Sequence, residues 1–159
     1  MVIPKVWHLF GNDHLPYRLL LLARMIDRET QKTLNDSFGL TLAEWRLLAI
    51  ATSIGPCTAS EIGQAGEIDR AEISRALRKL EPAGLIKRKQ APDHGKRLII
   101  TPTAKGQKLA DKVKAERRRF FESIMSGLSR EERSELDRQL LAMAENLPGT
   151  SAAQDQNGS

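Results

Sequence analysis

The sequence predicts a mostly α protein with one small β-hairpin, because helix-start signals recur along its 159 residues while strand-type patterning is confined to one stretch. Apolar residues make up 40% of the chain, enough for a core, and no apolar run approaches the roughly 18–20 residues of a membrane span. The first residues lack the apolar stretch of a secretory signal, and one cysteine cannot form an intramolecular disulfide. We therefore expect a cytoplasmic protein without a membrane partner.

The first long helix is predicted over residues 14–37. Its apolar side chains recur at helical spacing, and Gly39 follows its end: Leu15, Leu19, Leu22 and Ile26. Three short helices come next, each opened by a capping residue with a glutamate three positions later: Thr41-Leu-Ala-Glu44, Thr58-Ala-Ser-Glu61 and Asp69-Arg-Ala-Glu72. Reciprocal side-chain bonds of this kind satisfy the free backbone donors at a helix start. Successive starts so close together predict three short helices in a row.

The third short helix, predicted over residues 70–81, has two different faces. Ile73, Leu77 and Leu80 fall at i, i+4 and i+7 and are expected to be buried. The opposite face carries polar and basic residues: Arg70, Ser74, Arg75, Arg78 and Lys79. Pro82 and Gly84 end the helix, residues 85–89 and 96–101 are predicted strands, and residues 91–95 form the turn between them. A helix-turn-helix is thus followed by a hairpin with a basic tip.

Two further helices are predicted, one from Thr103 to Gly127 and one from the Ser129 cap to Leu147. Each has an apolar stripe that is expected to pack: Leu109, Val113, Phe120, Phe121 and Ile124 in the first, and Leu136, Leu140 and Met143 in the second. Residues 148–159 are rich in Gly, Ser, Gln, Asn and Ala without periodicity, and we interpret them as a disordered tail.

The basic residues are concentrated in the centre of the chain. Residues 58–110 contain 11 Lys and Arg against 6 Asp and Glu, a net charge of +5, whereas residues 1–57 carry +1 and residues 111–159 carry −1. A central basic block is typical of nucleic-acid binding, and the alternative is a solvated basic face without a partner.

The order of these elements and several short motifs resemble the MarR (multiple antibiotic resistance regulator) family of bacterial transcription factors. The resemblance covers about residues 15–147, and the motifs that carry it lie between residues 40 and 106: Leu40-Thr-Leu-Ala-Glu-Trp-Arg-Leu-Leu48, Thr58-Ala-Ser-Glu-Ile62, Ile68-Asp-Arg-Ala-Glu-Ile-Ser-Arg75, Leu80-Glu-Pro-Ala-Gly-Leu-Ile86, Arg88, Pro92-Asp93 and Thr103-Ala-Lys-Gly106. One segment departs from the family pattern: where Asp-Arg-Arg is common, this chain has Asp93-His-Gly-Lys-Arg97.

The resemblance implies a winged helix-turn-helix with N- and C-terminal helices forming a dimerisation domain. Residues 41–102 are then the DNA-binding lobe, and residues 1–40 and 103–147 are the dimerisation helices. The expected partners are a second copy of the chain and double-stranded DNA with a palindromic operator, because a two-fold dimer reads two half-sites. The alternative to a homodimer is a monomer that folds its terminal helices over its own core.

Candidate DNA contacts follow from the basic helix and the hairpin, which is the wing of this fold. Arg75 and Arg70 are the leading base-edge candidates because an arginine fork reaches guanine in the major groove. The remaining candidates are phosphate or groove contacts: Thr58, Ser60, Ser74, Arg78, Lys79, and Lys96 or Arg97 in the minor groove. Surface solubility is the alternative for each single arginine, and protection of a strand edge is the alternative for the wing.

The resemblance also implies a small aromatic acid or phenolic effector bound between the dimerisation helices and the DNA-binding lobe. Candidate residues for it are His8, His14, Arg18, Trp45 and Arg46, with structural salt bridges and core packing as the alternative roles. Cys57 is expected to be a small semi-buried residue, not a redox sensor. Three histidines and one cysteine give no metal-ligand spacing, and no cofactor is expected.

The function predicted is therefore a sequence-specific transcriptional regulator, a repressor that a ligand releases from its operator. A non-specific architectural DNA-binding protein of the same fold is the alternative, and a low ratio of specific to non-specific affinity distinguishes it. An enzyme is not expected, because the chain has no phosphate-binding glycine loop, nucleophile elbow or catalytic cysteine–histidine spacing.

Overall fold

The computed structural model describes residues 3–9, 11, 14–91 and 94–147. A short 3-10 helix (Lys5–His8) is followed by α1 (Leu15–Phe38), α2 (Leu42–Ile54), β1 (Cys57–Thr58), α3 (Ala59–Gly66), α4 (Arg70–Leu80), β2 (Ile86–Ala91), β3 (His94–Pro102), α5 (Ala104–Ile124) and α6 (Arg130–Glu145). The predicted mostly α fold with a small β-hairpin wing is confirmed. None of the described helices is both long and apolar enough to span a membrane.

The sheet has three antiparallel strands in the order β1-β3-β2. Strand β1 was not predicted, because two residues are too short to show a periodic pattern and Cys57 pairs with the distant Ile100. The hairpin strands also extend into the predicted turn, since Ala91 pairs with His94. Pro92 and Asp93, at the centre of that turn, lie outside the described residues.

The predicted helix starts are confirmed at atomic detail. The Thr41 hydroxyl accepts a hydrogen bond from Glu44 N at 3.2 Å, and the Glu44 carboxylate accepts one from Thr41 N at 2.9 Å. The same reciprocal pair opens α3 at Thr58 and α6 at Ser129. These local bonds satisfy backbone donors that a helix start otherwise leaves free.

The chain divides after Ala115 into two compact units. The unit that ends at Ala115 has a core drawn from α1–α5 and the sheet. Its largest fully buried side chains are Leu34, Leu47, Leu48, Ile62, Leu80, Ile86, Ile100 and Val113. Gly39 ends α1 in the left-handed conformation at φ 65°, and its N–H donates to Asn35 O.

The unit from Glu116 onward has no buried residue among those described up to Leu147. The Arg133 guanidinium holds the turn between α5 and α6, donating to Met125 O at 2.7 Å and to Leu128 O at 3.1 Å. Several residues of the predicted apolar stripes are exposed in the single chain, and their predicted packing stays a prediction. The exposed large apolar side chains are Phe121, Ile124, Leu128, Leu140, Leu141, Met143 and Leu147.

Candidate nucleic-acid interface

Helix α4 is fixed by a buried apolar face and a capped start. Its inner residues all have less than a tenth of their surface exposed: Ile73, Ala76, Leu77 and Leu80. At the start, the Asp69 carboxylate accepts a hydrogen bond from Glu72 N at 2.8 Å. This bond, more than the nearby charge of Arg75, holds the pKa of Asp69 below its usual value. The inner contacts therefore decide which side chains of α4 face outward.

The outward residues of α4 form two rows, each with a spacing of four residues. Arg70, Ser74 and Arg78 lie beside a cleft of about 560 Å³ that α3 also lines through Ser60. Arg75 and Lys79 lie beside a second cleft, of about 420 Å³, on the side of α1 and α2. All five predicted α4 residues are exposed. The structure thus brings the predicted basic residues of this helix together on one surface.

Lys79 differs from the arginines of α4 because it has a carboxylate partner inside the chain. Its Nζ lies 3.1 Å from Oε1 of Glu44, whose side chain is only 6% exposed. The other Glu44 oxygen caps α2 by accepting from Thr41 N. Sequence reasoning missed this pair, since the two residues lie in different helices and no local pattern connects them. Lys79 therefore joins the outer face of α4 to the first turn of α2.

The start of α3 contains the predicted phosphate contacts Thr58 and Ser60. Thr58 is buried, and its hydroxyl is engaged with Glu61, donating to the carboxylate at 2.8 Å and accepting from the backbone N at 3.2 Å. Ser60 is exposed. Hydrogen bonds from the Thr58 backbone and side chain lower the pKa of Glu61, with a smaller contribution from the positive charge of Arg97. Arg97 of the wing therefore lies close enough to α3 to influence its first turn.

The wing carries the two alternative minor-groove residues. Arg97 is exposed, and the side chain of Lys96 lies outside the described residues. At the base of the wing, Arg88 of β2 donates to the Glu81 carboxylate just after α4, with Nε at 2.7 Å from Oε2. These bonds lower the pKa of Glu81 and raise that of Arg88. The pair was not predicted as part of the site, because the two residues belong to different elements.

The five candidate effector residues do not converge on one described cavity. Arg18 donates to two backbone carbonyls near the N-terminus, Trp7 O at 3.1 Å and Gly11 O at 2.9 Å. Arg46 pairs with Asp27 at 3.4 Å, and Trp45 is buried in the core. The remaining two candidates, His8 and His14, are exposed. In the single chain, Trp45 thus has the alternative role of core packing, and Arg46 has the alternative role of a salt bridge. Arg18 is engaged with backbone carbonyls.

Cys57 is more buried than the predicted semi-buried position, with 3% of its surface exposed. Burial, and to a lesser extent the charge of Glu61, raises the pKa of its thiol, which disfavours the reactive thiolate. Across the described part of the chain, no three His, Cys, Asp or Glu residues are grouped as metal ligands.

Comparison with known proteins identifies the fold. Residues 40–97 match the MarR family model. The HTH-type transcriptional regulator YwoH of Bacillus subtilis is 25% identical over 124 residues, which cover 78% of this chain and 89% of that protein. The HTH-type transcriptional repressor Rv2887 of Mycobacterium tuberculosis is 27% identical over 126 residues, covering 79% of this chain and 90% of that protein.

Solved structures agree with the described fold. The S. aureus protein MepR, solved in a complex with DNA, superimposes with a TM-score of 0.74 at 22% identity, covering 84% of this chain and 98% of MepR. At this identity the match concerns the fold, which is a winged helix-turn-helix. Together with the family model over residues 40–97 and the curated relatives, these comparisons show that the chain is similar to transcriptional regulators of the MarR family.

Proposed function

We propose that this regulator binds a specific DNA sequence by placing α4 in the major groove. The proposal rests on three α4 arginines whose guanidinium groups are exposed. In the described chain, no hydrogen bond or ion pair engages the guanidinium of Arg70, Arg75 or Arg78. Five donors on each guanidinium are then available, and a fork of this shape fits the O6 and N7 acceptors of guanine. Arg75 and Arg70 read base edges, Ser74 contacts a base or a phosphate, and Arg78 contacts the DNA backbone.

The residues around α4 supply contacts to the DNA backbone. Exposed Ser60 at the start of α3 is the phosphate contact, and Thr58 acts by capping the same helix. Lys79 adds positive charge beside the groove while it is paired with Glu44. In the wing, Arg97 or Lys96 enters the minor groove, where a cation responds to the groove width.

The regulator acts as a homodimer on a palindromic operator. Support comes from the apolar side chains exposed after Glu116, since a soluble single chain rarely leaves so many in one segment. In this proposal residues 41–102 form the DNA-binding lobe, and residues 1–40 and 103–147 form the dimerisation helices. Two-fold symmetry then places two α4 helices at half-sites about one turn of DNA apart.

The sign of regulation is repression, relieved by a small aromatic or phenolic ligand. The repressor Rv2887 is a relative of this chain, which supports the sign. The ligand binds between the dimerisation helices and the DNA-binding lobe, and Arg18 or Arg46 supplies its counter-charge after leaving its present partners. A ligand that prefers a different spacing of the two α4 helices weakens operator binding by linkage.

DNA recognition is tested with Arg75→Ala and a matched control, Arg138→Ala, which removes an exposed arginine of α6. The probes are a duplex selected from random-sequence DNA by the wild-type protein and a scrambled duplex of equal composition. Arg75→Ala is expected to weaken binding to the selected duplex by about 1–3 kcal/mol and to relax specificity at one position of each half-site, because one bidentate contact is lost. Arg138→Ala leaves both affinities unchanged.

Two results contradict the proposal on DNA recognition. If Arg75→Ala binds both duplexes as the wild type does, Arg75 does not read bases. If the wild type itself binds the selected and scrambled duplexes equally well, the protein is the non-specific architectural alternative.

Ligand release is tested by adding a panel of aromatic acids and phenols to the same binding assay. An effector is expected to reduce affinity for the selected duplex roughly 5–150-fold, and Arg18→Ala or Arg46→Ala to reduce that response. Failure of every compound to shift the wild-type curve contradicts this part of the proposal and leaves DNA binding intact.

A further inference from the structure

The segment that connects α4 to β2 is held by the first turn of α5. Three consecutive carbonyls of this segment accept hydrogen bonds from it: Lys105 Nζ donates to Ala83 O at 2.8 Å, and the Thr103 hydroxyl donates to Gly84 O at 2.6 Å. The third carbonyl, Leu85 O, accepts from Thr103 N at 3.0 Å. Each of these three carbonyls, in the connection that follows α4, is thus bound to the start of α5.

Thr103 performs two tasks with one hydroxyl. Besides donating to Gly84 O, its Oγ1 accepts a hydrogen bond from Gly106 N at 3.0 Å and so caps α5. A hydroxyl has one proton to donate and lone pairs to accept with, so both bonds coexist. With both in place, the proton of the hydroxyl is committed to a bond inside the protein.

Gly106 allows the two backbones to approach closely. A Cβ placed on Gly106 would lie 2.0 Å from Leu85 O and 3.0 Å from Leu85 C. Such distances are far inside van der Waals contact, and the atoms in the way belong to the backbone and not to a flexible side chain. Helix α5 therefore packs directly on the connection, without an intervening side chain that could adjust.

The other end of the connection is equally fixed to α4. Leu80 is the last residue of α4 and is 1% exposed. Its carbonyl oxygen accepts a hydrogen bond from Leu85 N at 3.0 Å. Gly84, at φ +70°, donates its N–H to Glu81 O at 2.9 Å, and the Glu81 carboxylate binds Arg88. A continuous chain of contacts therefore runs from the first turn of α5 to the last turn of α4.

We propose that Thr103, assisted by Lys105 and Gly106, is a positioning residue for α4, the helix proposed to read the DNA sequence. It sets the angle of α4 relative to the first turn of α5 and thereby sets affinity for specific DNA without touching it. This inference rests on the proposed base-reading role of α4. Hydrogen bonds to base edges require close alignment, whereas long cationic side chains still reach phosphates after a small rotation of the helix. Loss of the contact therefore reduces specific binding more than non-specific binding.

The experiment compares Thr103→Val, which keeps the shape but removes the hydroxyl, with Thr103→Ser, which retains it. Thr33→Val, an exposed threonine of α1, is the matched control. Each full-length variant is titrated with the duplex selected from random-sequence DNA by the wild type and with its scrambled counterpart, at a temperature where melting curves show it fully folded. Thr103→Val is expected to bind the selected duplex at least about fivefold more weakly, with scrambled affinity within about twofold of wild type.

Rescue by the conservative variant separates positioning from a purely structural role. Thr103→Ser and Thr33→Val are expected to bind both duplexes as the wild type does. If Thr103→Val only lowers the melting temperature and binds the selected duplex normally when folded, the proposal is overturned. A different result would contradict the proposed base reading by α4: a wild-type protein that binds the selected and the scrambled duplex equally well.

A second variant keeps the proposal testable if Thr103→Val does not fold. Lys105→Met removes the amine that donates to Ala83 O while keeping an unbranched side chain at an exposed position. Lys105→Met is expected to bind the selected duplex about twofold to threefold more weakly than the wild type, a smaller loss than that of Thr103→Val. Its affinity for the scrambled duplex is expected to be unchanged. Equal affinity of Lys105→Met and wild type for the selected duplex, at equal folded fraction, overturns the proposal.

Discussion

Residues up to Ala115 and residues from Glu116 onward differ in how their apolar side chains are buried. The first region encloses a continuous core, in which Leu47 and Leu48 have no exposed surface. The second region contains the end of α5 and the capped helix α6 but no buried residue among those described, and Leu141 is 59% exposed. Local helix signals are equally clear in both regions. The difference shows that helix formation and core formation are separate properties, and the exposed apolar side chains of the second region are the basis of the proposed dimer.

The largest expected effect comes from replacing one leucine by alanine in each region and comparing what each change does to stability and to dimerisation. Leu47→Ala should destabilise the protein by about 2–5 kcal/mol, because it leaves a cavity in a closed core, and should leave the dissociation constant of the proposed dimer unchanged. Leu141→Ala should raise that dissociation constant about tenfold or more, since the leucine is lost from both copies. Chemical denaturation and sedimentation equilibrium measure the two quantities. The comparison fails if Leu141→Ala lowers stability without changing dimerisation.

Two glycines give the next largest contrast. Gly106→Ala should destabilise the fold by about 1–3 kcal/mol, because its Cβ collides with Leu85 O and this outweighs the better helix propensity of alanine. Gly127→Ala should have no measurable effect, since a Cβ there meets nothing within 4 Å. Thermal melting of both variants checks the prediction. A neutral Gly106→Ala would mean that α5 does not pack on the connection after α4.

Two arginine–glutamate pairs provide a smaller contrast. In the first region, the Arg88 and Glu81 side chains are 31% and 34% exposed, while in α6 those of Arg138 and Glu135 are 71% and 49% exposed. Arg88→Ala should therefore lower the melting temperature more than Arg138→Ala, because solvent screens the exposed pair and that pair contributes little. Equal shifts for the two variants would contradict the inferred difference in environment.

The smallest effect concerns acid titration. Bonds from Thr58 lower the pKa of Glu61, and bonds from Arg138 lower that of Glu135. A carboxylate with a lowered folded-state pKa stabilises the fold above its unfolded-state value of about 4.3, and this stabilisation is lost as the pH falls through the folded-state pKa. By NMR titration, Thr58→Val should raise the pKa of Glu61 only, and Arg138→Ala that of Glu135 only. A shift of both carboxylates in either variant would show that the regions are electrostatically coupled.

The sequence predicted what depends on residues close together in the chain. The caps at Thr41, Thr58 and Ser129 rest on partners three residues away, and the buried face of α4 follows from its helical period. Contacts between distant residues were missed because their formation depends on the tertiary fold. Strand β1 and the Lys79–Glu44 pair are of this kind.

The apolar stripes illustrate the limit most clearly. The same periodicity predicted burial for Val113 and for Phe121, yet Val113 is fully buried and Phe121 is 42% exposed in the single chain. A periodic stripe indicates that a face needs a partner but does not say whether the partner is the same chain or another copy. The proposed contacts of individual α4 residues with DNA are subject to the same limit, because they too depend on a partner outside the chain.

Sedimentation velocity of the full chain without DNA, at low micromolar concentration, tests the difference between the two regions most directly. The wild type is expected to sediment with twice the mass of one chain, because the proposed dimer buries the apolar side chains after Glu116 against a second copy. Leu141→Glu, which places a charge at that surface, is expected to sediment as a single folded chain with the helical circular dichroism of the wild type. A wild type that sediments as a single chain across this range would contradict the proposed dimer.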